Sequence, residues 1–321
     1  MLPPNTRRSP AGGQREEDPI RFHDLMSSKL ATRIGLYIGR HLPPWIAYGL
    51  AQIVANYASR KRPENYWKVA ANLRQVVGPE VDDAALHEMV RQVFFHAGQV
   101  YYDFYHSTKL TPEELARAAR VPPEMIDLLK TQVERGRGAV VMGLHMSSFD
   151  LGMIAIGAQG VPIQVLTLAD PGPGFQIQNR LRTRVGIDVT PISPESLRLA
   201  LCRLQSGWTV FTGADRPAEW EQERIEFCGQ PARLPLGPVR LALMTGAAVV
   251  VASCHYDRAT GYAVRFTGPI EMTRTGDRNQ DILANARRTA IAIEEHIRAH
   301  PQQWLMFHRV WPEDHPETAE G

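Results

Sequence analysis

The stretch that most constrains the fold runs from Gly138 to Asp150, where a continuous apolar run stops abruptly on a histidine. Val140, Val141, Met142 and Leu144, introduced by Gly136 and Gly138, read as a short strand covered on both faces, because a strand with one wet face would alternate apolar and polar residues. His145 then lies at its carboxyl end. Ser147 or Ser148 caps a helix that continues through Leu151, Met153, Ile154 and Ile156, which puts Asp150 in or near the first turn. Strand, turn and helix amino terminus, in that order, form a place where open α/β sheets bind ligands.

The alternation continues downstream. Residues 163–168, 187–192 and 208–212 read as strands, with helices over 175–185 and 194–204 between them. A helix over 237–245, a buried strand over 247–253, an alternating edge partner over 262–267 and a terminal amphipathic helix over 280–298 follow. The expected class is therefore α/β, with a mostly parallel central sheet flanked by helices. Ahead of it, residues 1–24 are rich in Pro, Gly and charge, lack an apolar period and read as a disordered lead. Arg7 and Arg8 are not followed by the apolar core of a signal peptide.

Residues 25–107 are expected to form an amphipathic helical region that associates with a membrane interface, and 108–315 the catalytic domain, either apart from it or as one unit with it. The segment after Arg40 is apolar, but Pro43, Pro44, Gln52 and Asn56 make it a poor spanning helix. Trp45, Tyr48 and Tyr57 beside Arg60-Lys61-Arg62 suit a helix lying in the interface; packing against the catalytic layer is the plainer alternative.

His145 and Asp150 are five residues apart, too far for one helix face but suited to a pair that straddles a turn. A carboxylate holding one imidazole nitrogen leaves the other free as a general base near neutral pH. That is a Ser-His-Asp arrangement without its serine, so the nucleophile would be a substrate hydroxyl. A strand-end histidine held by a carboxylate is equally a common structural device. A lipid hydrolase, the competing enzyme, lacks a G-x-S-x-G elbow here, and H-E-x-x-H is absent. Cys202, Cys228 and Cys254 make neither a metal pattern nor a disulfide framework. A formal charge of +2 supplies no global field for nucleic acid.

His145-Met146-Ser147-Ser148-Phe149-Asp150 fits the H-x-x-x-x-D signature of the lysophospholipid acyltransferase superfamily. Ala214 to Pro217, Phe227 to Pro238, Leu241 to Ala247 and the closing Pro301 to Trp311 together resemble one branch of it, the late acyltransferases of lipid A biosynthesis and the phosphatidylinositol mannoside acyltransferases. The resemblance implies transfer of a fatty acyl chain from acyl-CoA or acyl carrier protein to a hydroxyl of a membrane glycolipid or lysophospholipid, without a cofactor. It implies His145 as base oriented by Asp150, and a peripheral place on the cytoplasmic face of a bacterial plasma membrane.

The branch carries a functional arginine matching Arg182 or Arg184, an acidic residue aligned with Asp215 beside Arg216, and an extra glutamate near Glu223 or Glu226; we carry Glu226 forward as a substrate-binding candidate. Asp215 and Arg216 also follow a strand whose carboxyl end converges with that of His145. Phe149, Met153 and Leu168 flank the turn and are the candidate liners of an acyl groove. His308, between Trp304 and Trp311, is expected to pack. A non-catalytic lipid-binding module on the same fold is the remaining alternative.

Overall fold

Small residues decide how the amino-terminal helices sit. In the computed structural model, which describes residues 28–167 and 172–311, α1 spans Lys29–His41 and α2 spans Pro44–Lys61. Ser28 caps α1 through the Ala31 N–H at 3.3 Å, and Pro44 at the first helical position starts α2 where its missing N–H costs nothing. Two further helices follow, α3 (Glu64–Val77) and the long α4 (Asp83–His106).

α1 turns Thr32, Gly35 and Gly39 inward; a Cβ at Gly35 would lie 2.4 Å from the Tyr105 ring, so the glycine permits the close approach to α4. α2 likewise buries Ala47, Ala51, Ala55 and Ala58. Their large apolar residues, Leu30, Ile34, Tyr37, Trp45, Ile53, Val54 and Tyr57, point outward. The polarity of an ordinary surface helix is thus inverted. Asp103 on α4 ties this layer to the rest, accepting hydrogen bonds from Tyr48 (2.8 Å) and Tyr262. Burial pushes its carboxyl up to about 6, although both phenol hydrogen bonds oppose the shift.

Short helices α5 (Pro112–Ala116) and α6 (Pro123–Glu134) lead into β1 (Ala139–Gly143). From there strand and helix alternate: α7 (Phe149–Gly157), β2 (Ile163–Thr167), α8 (Pro173–Thr183), β3 (Asp188–Pro191), α9 (Pro194–Gln205) and β4 (Thr209–Gly213). A small antiparallel hairpin, β5 (Ile225–Phe227) and β6 (Gln230–Ala232), precedes α10 (Gly237–Thr245), β7 (Ala248–Asp257), β8 (Gly261–Ile270) and α11 (Arg278–Ala299). The main sheet has the order β3-β2-β4-β1-β7-β8, parallel throughout except for the antiparallel edge β8. This is the expected architecture. The expected disordered lead, residues 1–24, lies outside the described residues.

β1 is central, so its side chains are buried on both faces with a period of two. Val140, Met142 and Leu144 join one core with Leu204, Val239 and Ile293; Ala139 and Val141 join the other with Met125, Ile154 and Ile177. Side chains such as these contribute ~1.5–3 kcal/mol each on burial, so the sheet around β1 is a rigid base for whatever its carboxyl end carries.

Candidate active site

Register alone brings the central pair together. β1 and β4 are neighbours with Gly143 opposite Gly213, so residues two further on, His145 and Asp215, leave the sheet side by side. The imidazole Nδ1 lies 2.7 Å from Asp215 Oδ1, and the His145 backbone N–H donates to Oδ2 at 2.9 Å. Trp304 Nε1 donates to the same Oδ2 at 2.8 Å. The carboxylate is fully buried and its orientation is fixed from three sides. Gly213 leaves room for the ring: a Cβ there would be 3.2 Å from His145 Cε1. Phe149 meets the imidazole edge-on, with centroids 5.3 Å apart.

The expected pairing of His145 with Asp150 is corrected by this geometry. Asp150 is in the first turn of α7, as the sequence predicts, but there its carboxylate faces α8. It accepts two hydrogen bonds from Arg182, at 2.6 and 2.9 Å, and one from Gln178. Both Arg182 nitrogens converge on Oδ1 and Gln178 donates to Oδ2, so Asp150 anchors α7 to α8 rather than holding the ring. Of the two candidate arginines, Arg182 is therefore buried in a pair beside the site. Arg184 is exposed and caps the carbonyls of Thr108 (3.2 Å) and Leu110 (2.5 Å), away from the site.

Electrostatics follow from the pairing. Burial disfavours the imidazolium, yet the charge and hydrogen bond of Asp215 outweigh it, so His145 is raised above the ordinary histidine range. Arg216 pushes the same ring down and Asp150 pushes it up. Burial would raise Asp215, but His145 and Trp304 hold it below the usual carboxylate range. The second imidazole nitrogen, Nε2, faces a cavity of about 1030 Å³ and has no hydrogen-bond partner among the described residues. With Nδ1 committed to Asp215, Nε2 is the position from which a proton can be taken.

The turn that carries His145 is braced by the chain's closing segment. Ser147 N–H donates to Gln303 O, and Leu305 N–H to His145 O, both at 2.8 Å. The N–H groups of His145, Met146 and Ser147 are thereby all engaged inside the protein. Ser148 gives α7 no side-chain cap, and Phe149 and Asp150 of its uncapped first turn line the cavity. Ser147 has φ 45, a strained conformation for a non-glycine residue of the kind that concentrates at sites.

Phe149 and Met153 line the cavity, together with Tyr101, Phe104, Ile156, Val165 and Phe211. Leu168 lies outside the described residues. Arg216 lines the cavity; Glu226 is an exposed residue of β5 that does not. His308 is on the cavity wall and exposed rather than packed between tryptophans; Trp304 takes the buried place. Gly213 and Trp304 escaped the sequence reading as site residues. The signal for Gly213 was available in a glycine closing a strand beside an expected Asp, whereas nothing local links Trp304 to Asp215, 89 residues away. No group of ligating side chains suited to a metal occurs among the described residues.

Residues 26–313 match the family described as bacterial lipid A biosynthesis acyltransferase. Among curated proteins, the chain is similar to the phosphatidylinositol mannoside acyltransferase of Mycobacterium tuberculosis (strain CDC 1551 / Oshkosh), 26% identical over 308 residues that cover 94% of each chain. It is also similar to the enzyme of that name from Mycolicibacterium smegmatis, 24% identical over 290 residues, covering 89% of this chain and 91% of the relative. With a match that spans most of its length, the chain belongs to the bacterial lipid A biosynthesis acyltransferase family and is an acyltransferase.

Proposed function

We propose that the protein moves a fatty acyl chain from an acyl thioester, acyl-CoA or acyl carrier protein, to a hydroxyl of a membrane glycolipid or lysophospholipid, with His145 as general base oriented by Asp215. The observation that carries this reading is the 2.7 Å contact between Nδ1 and Asp215, which leaves Nε2 directed at a large, mainly apolar cavity. In the forward reaction Nε2 takes the acceptor hydroxyl proton as its oxygen bonds to the thioester carbon. The tetrahedral oxyanion is stabilised by the first-turn N–H groups of α7, at the positive end of that helix. The C–S bond then breaks, and the thiolate takes the proton back from the imidazolium. Asp215 stays ionised throughout and stabilises the charged ring.

The same reading assigns the inverted helices α1 and α2 to the membrane surface. Trp45 is 75% exposed and Ile53 and Tyr57 each 64%, beside the basic Lys29, Arg33, Arg40, Arg60 and Lys61. Outward aromatic and aliphatic bodies with basic flanks fit an interfacial helix pair. Among the described residues, no helix is long and apolar enough to cross a membrane. A face at the bilayer gives the active site access to a lipid acceptor and an acyl chain without full extraction into water.

The test supplies acyl-CoA or acyl carrier protein with lipid vesicles containing a phosphatidylinositol-based glycolipid, and follows thiol release and lipid mass together. The reading expects one thiol released for each acylated lipid formed. Thiol release matched by free fatty acid would identify a hydrolase instead, and neither product would leave a lipid-binding module.

A further inference from the structure

The cavity that receives Nε2 is electrically lopsided. Its walls carry six lysine and arginine side chains, Lys68, Arg182, Arg216, Arg224, Arg233 and Arg309, against two carboxylates, Asp150 and Glu219. Lys68 is paired with Glu64 and Arg182 with Asp150, and Arg216 and Arg233 are wall cations that stand outside any ion pair of the described residues. A half-buried cation with no partner loses part of its hydration without a compensating charge.

Arg216 is the clearest case. It is half-buried directly after Asp215, and Asp215 is taken up by His145 and Trp304. No ion pair holds the Arg216 guanidinium among the described residues. Burial pulls its pKa down, against a smaller opposing pull from Asp215. Arg233, likewise outside any ion pair of the described residues, is brought to the same wall by the backbone: Ala218 N–H donates to Arg233 O at 2.8 Å, two residues beyond Arg216. Glu221 and Arg240 lock this loop, with hydrogen bonds of 2.8 and 2.9 Å between them. Both residues line the cavity from this braced backbone, and a planar guanidinium matches phosphate oxygens in its donor geometry.

We propose that Arg216 and Arg233 form the binding site for a phosphate ester carried by one of the two substrates, next to the reacting group. This rests on the acyltransferase reading above and names the chemistry that its site selects. Two sources share it: the phosphate of the donor's pantetheine carrier and the phosphate of a phospholipid-based acceptor. The site does electrostatic work as well. Arg216 holds the His145 pKa down in the free enzyme; an anion on Arg216 cancels that effect, so binding strengthens the base when the hydroxyl is present.

The experiment compares Arg216→Gln and Arg233→Gln with wild type on four substrate pairs. Donors are acyl-CoA and the phosphate-free acyl-N-acetylcysteamine thioester; acceptors are a phosphatidylinositol-based glycolipid and a diacylglycerol glycoside without phosphate. Loss of a charged hydrogen bond is expected to raise KM about ten-fold or more, only for the phosphate-bearing member of one pair. A rise confined to acyl-CoA assigns the site to the donor, and one confined to the phospholipid assigns it to the acceptor. Wild-type KM values on all pairs, or equal losses on phosphate-free substrates, overturn the proposal.

Calorimetry with inorganic pyrophosphate supplies an arm that needs no turnover. Wild type is expected to bind it and the exposed-site variant Arg233→Gln to bind at least several-fold more weakly; equal affinity overturns the proposal. A wild type inactive on every pair sinks the acyltransfer reading while pyrophosphate still decides this one. In the pH profile, Arg216→Gln should move the acid limb of kcat/KM to higher pH, a shift that a merely structural role would not produce.

Discussion

At the scale of single residues, the two acidic side chains near His145 divide their work. Asp215 holds the imidazole, and Asp150 holds Arg182 and Gln178. Asp215→Asn should lower kcat by ~10²–10⁴ because it sets the wrong tautomer and no longer supports the imidazolium. Asp150 and Arg182 side chains are 10% and 7% exposed, so breaking their pair by Arg182→Met should destabilise by about 3–5 kcal/mol, read as a fall in urea midpoint. Equal kinetic losses for Asp150→Asn and Asp215→Asn, with no loss of stability in the former, would contradict the division.

The pH dependence has a definite sign. Neutral imidazole is the active form, and Asp215 raises the ring above its usual value of ~6.5, so kcat/KM should fall as pH drops through a limb above that value. Stability from the same group runs the other way: a raised histidine stabilises fully below its unfolded value and loses that contribution as pH rises through the folded one. His145→Ala should erase this difference from a plot of melting temperature against pH.

At the scale of elements, register carries most of the site. The apolar run before His145 and the expected strand before Asp215 were legible, because buried strands leave continuous apolar segments that end where the chain turns. The pairing order was not. Periodicity says that a segment is a strand but not which strand lies beside it, and only the β1–β4 adjacency places Asp215 nearer than the Asp five residues away. Gly213→Val tests this adjacency: the added side chain enters the space of the imidazole and should cut kcat by more than ten-fold while KM for donor changes little. A wild-type kcat would show that the ring tolerates displacement.

Helices α1 and α2 give the second element-scale result. Trp45 and Tyr57 read as interfacial residues from the sequence and are exposed, but the inward stripe of small residues was not legible, since an apolar stripe is ordinarily the buried one. The structure reverses this because Gly35, Gly39, Ala51 and Gly98 bring the helix axes close. Trp45→Ser with Ile53→Ser should therefore reduce binding to anionic vesicles with little change in melting temperature. High salt should weaken wild-type binding too, each basic side chain near the surface contributing about 1 kcal/mol. Loss of fold in the double variant, or salt-independent binding, would contradict the interfacial assignment.

At the scale of the whole molecule, the sheet is a rigid base and α4, on which α1 and α2 pack, contributes to the cavity wall; in the proposed function the outward faces of α1 and α2 meet lipid and the cavity takes the acyl chain. Tyr101 and Phe104 on α4 line the same cavity as Met153 on α7, so the apolar walls run from the catalytic turn toward the layer that carries α1 and α2. A donor chain-length series should show a sharp optimum, two unaccommodated methylenes costing about ten-fold at ~0.8 kcal/mol each. A flat profile would remove the groove from the account.

In the proposed reaction His145 takes the proton of an acceptor hydroxyl. The measurement that reaches it most directly is turnover of His145→Ala beside wild type, in the same vesicles, with folding checked by melting temperature. A folded variant whose acylated-lipid formation falls by ~10²–10⁴ is expected, and a folded variant that keeps wild-type turnover would contradict a base at this position.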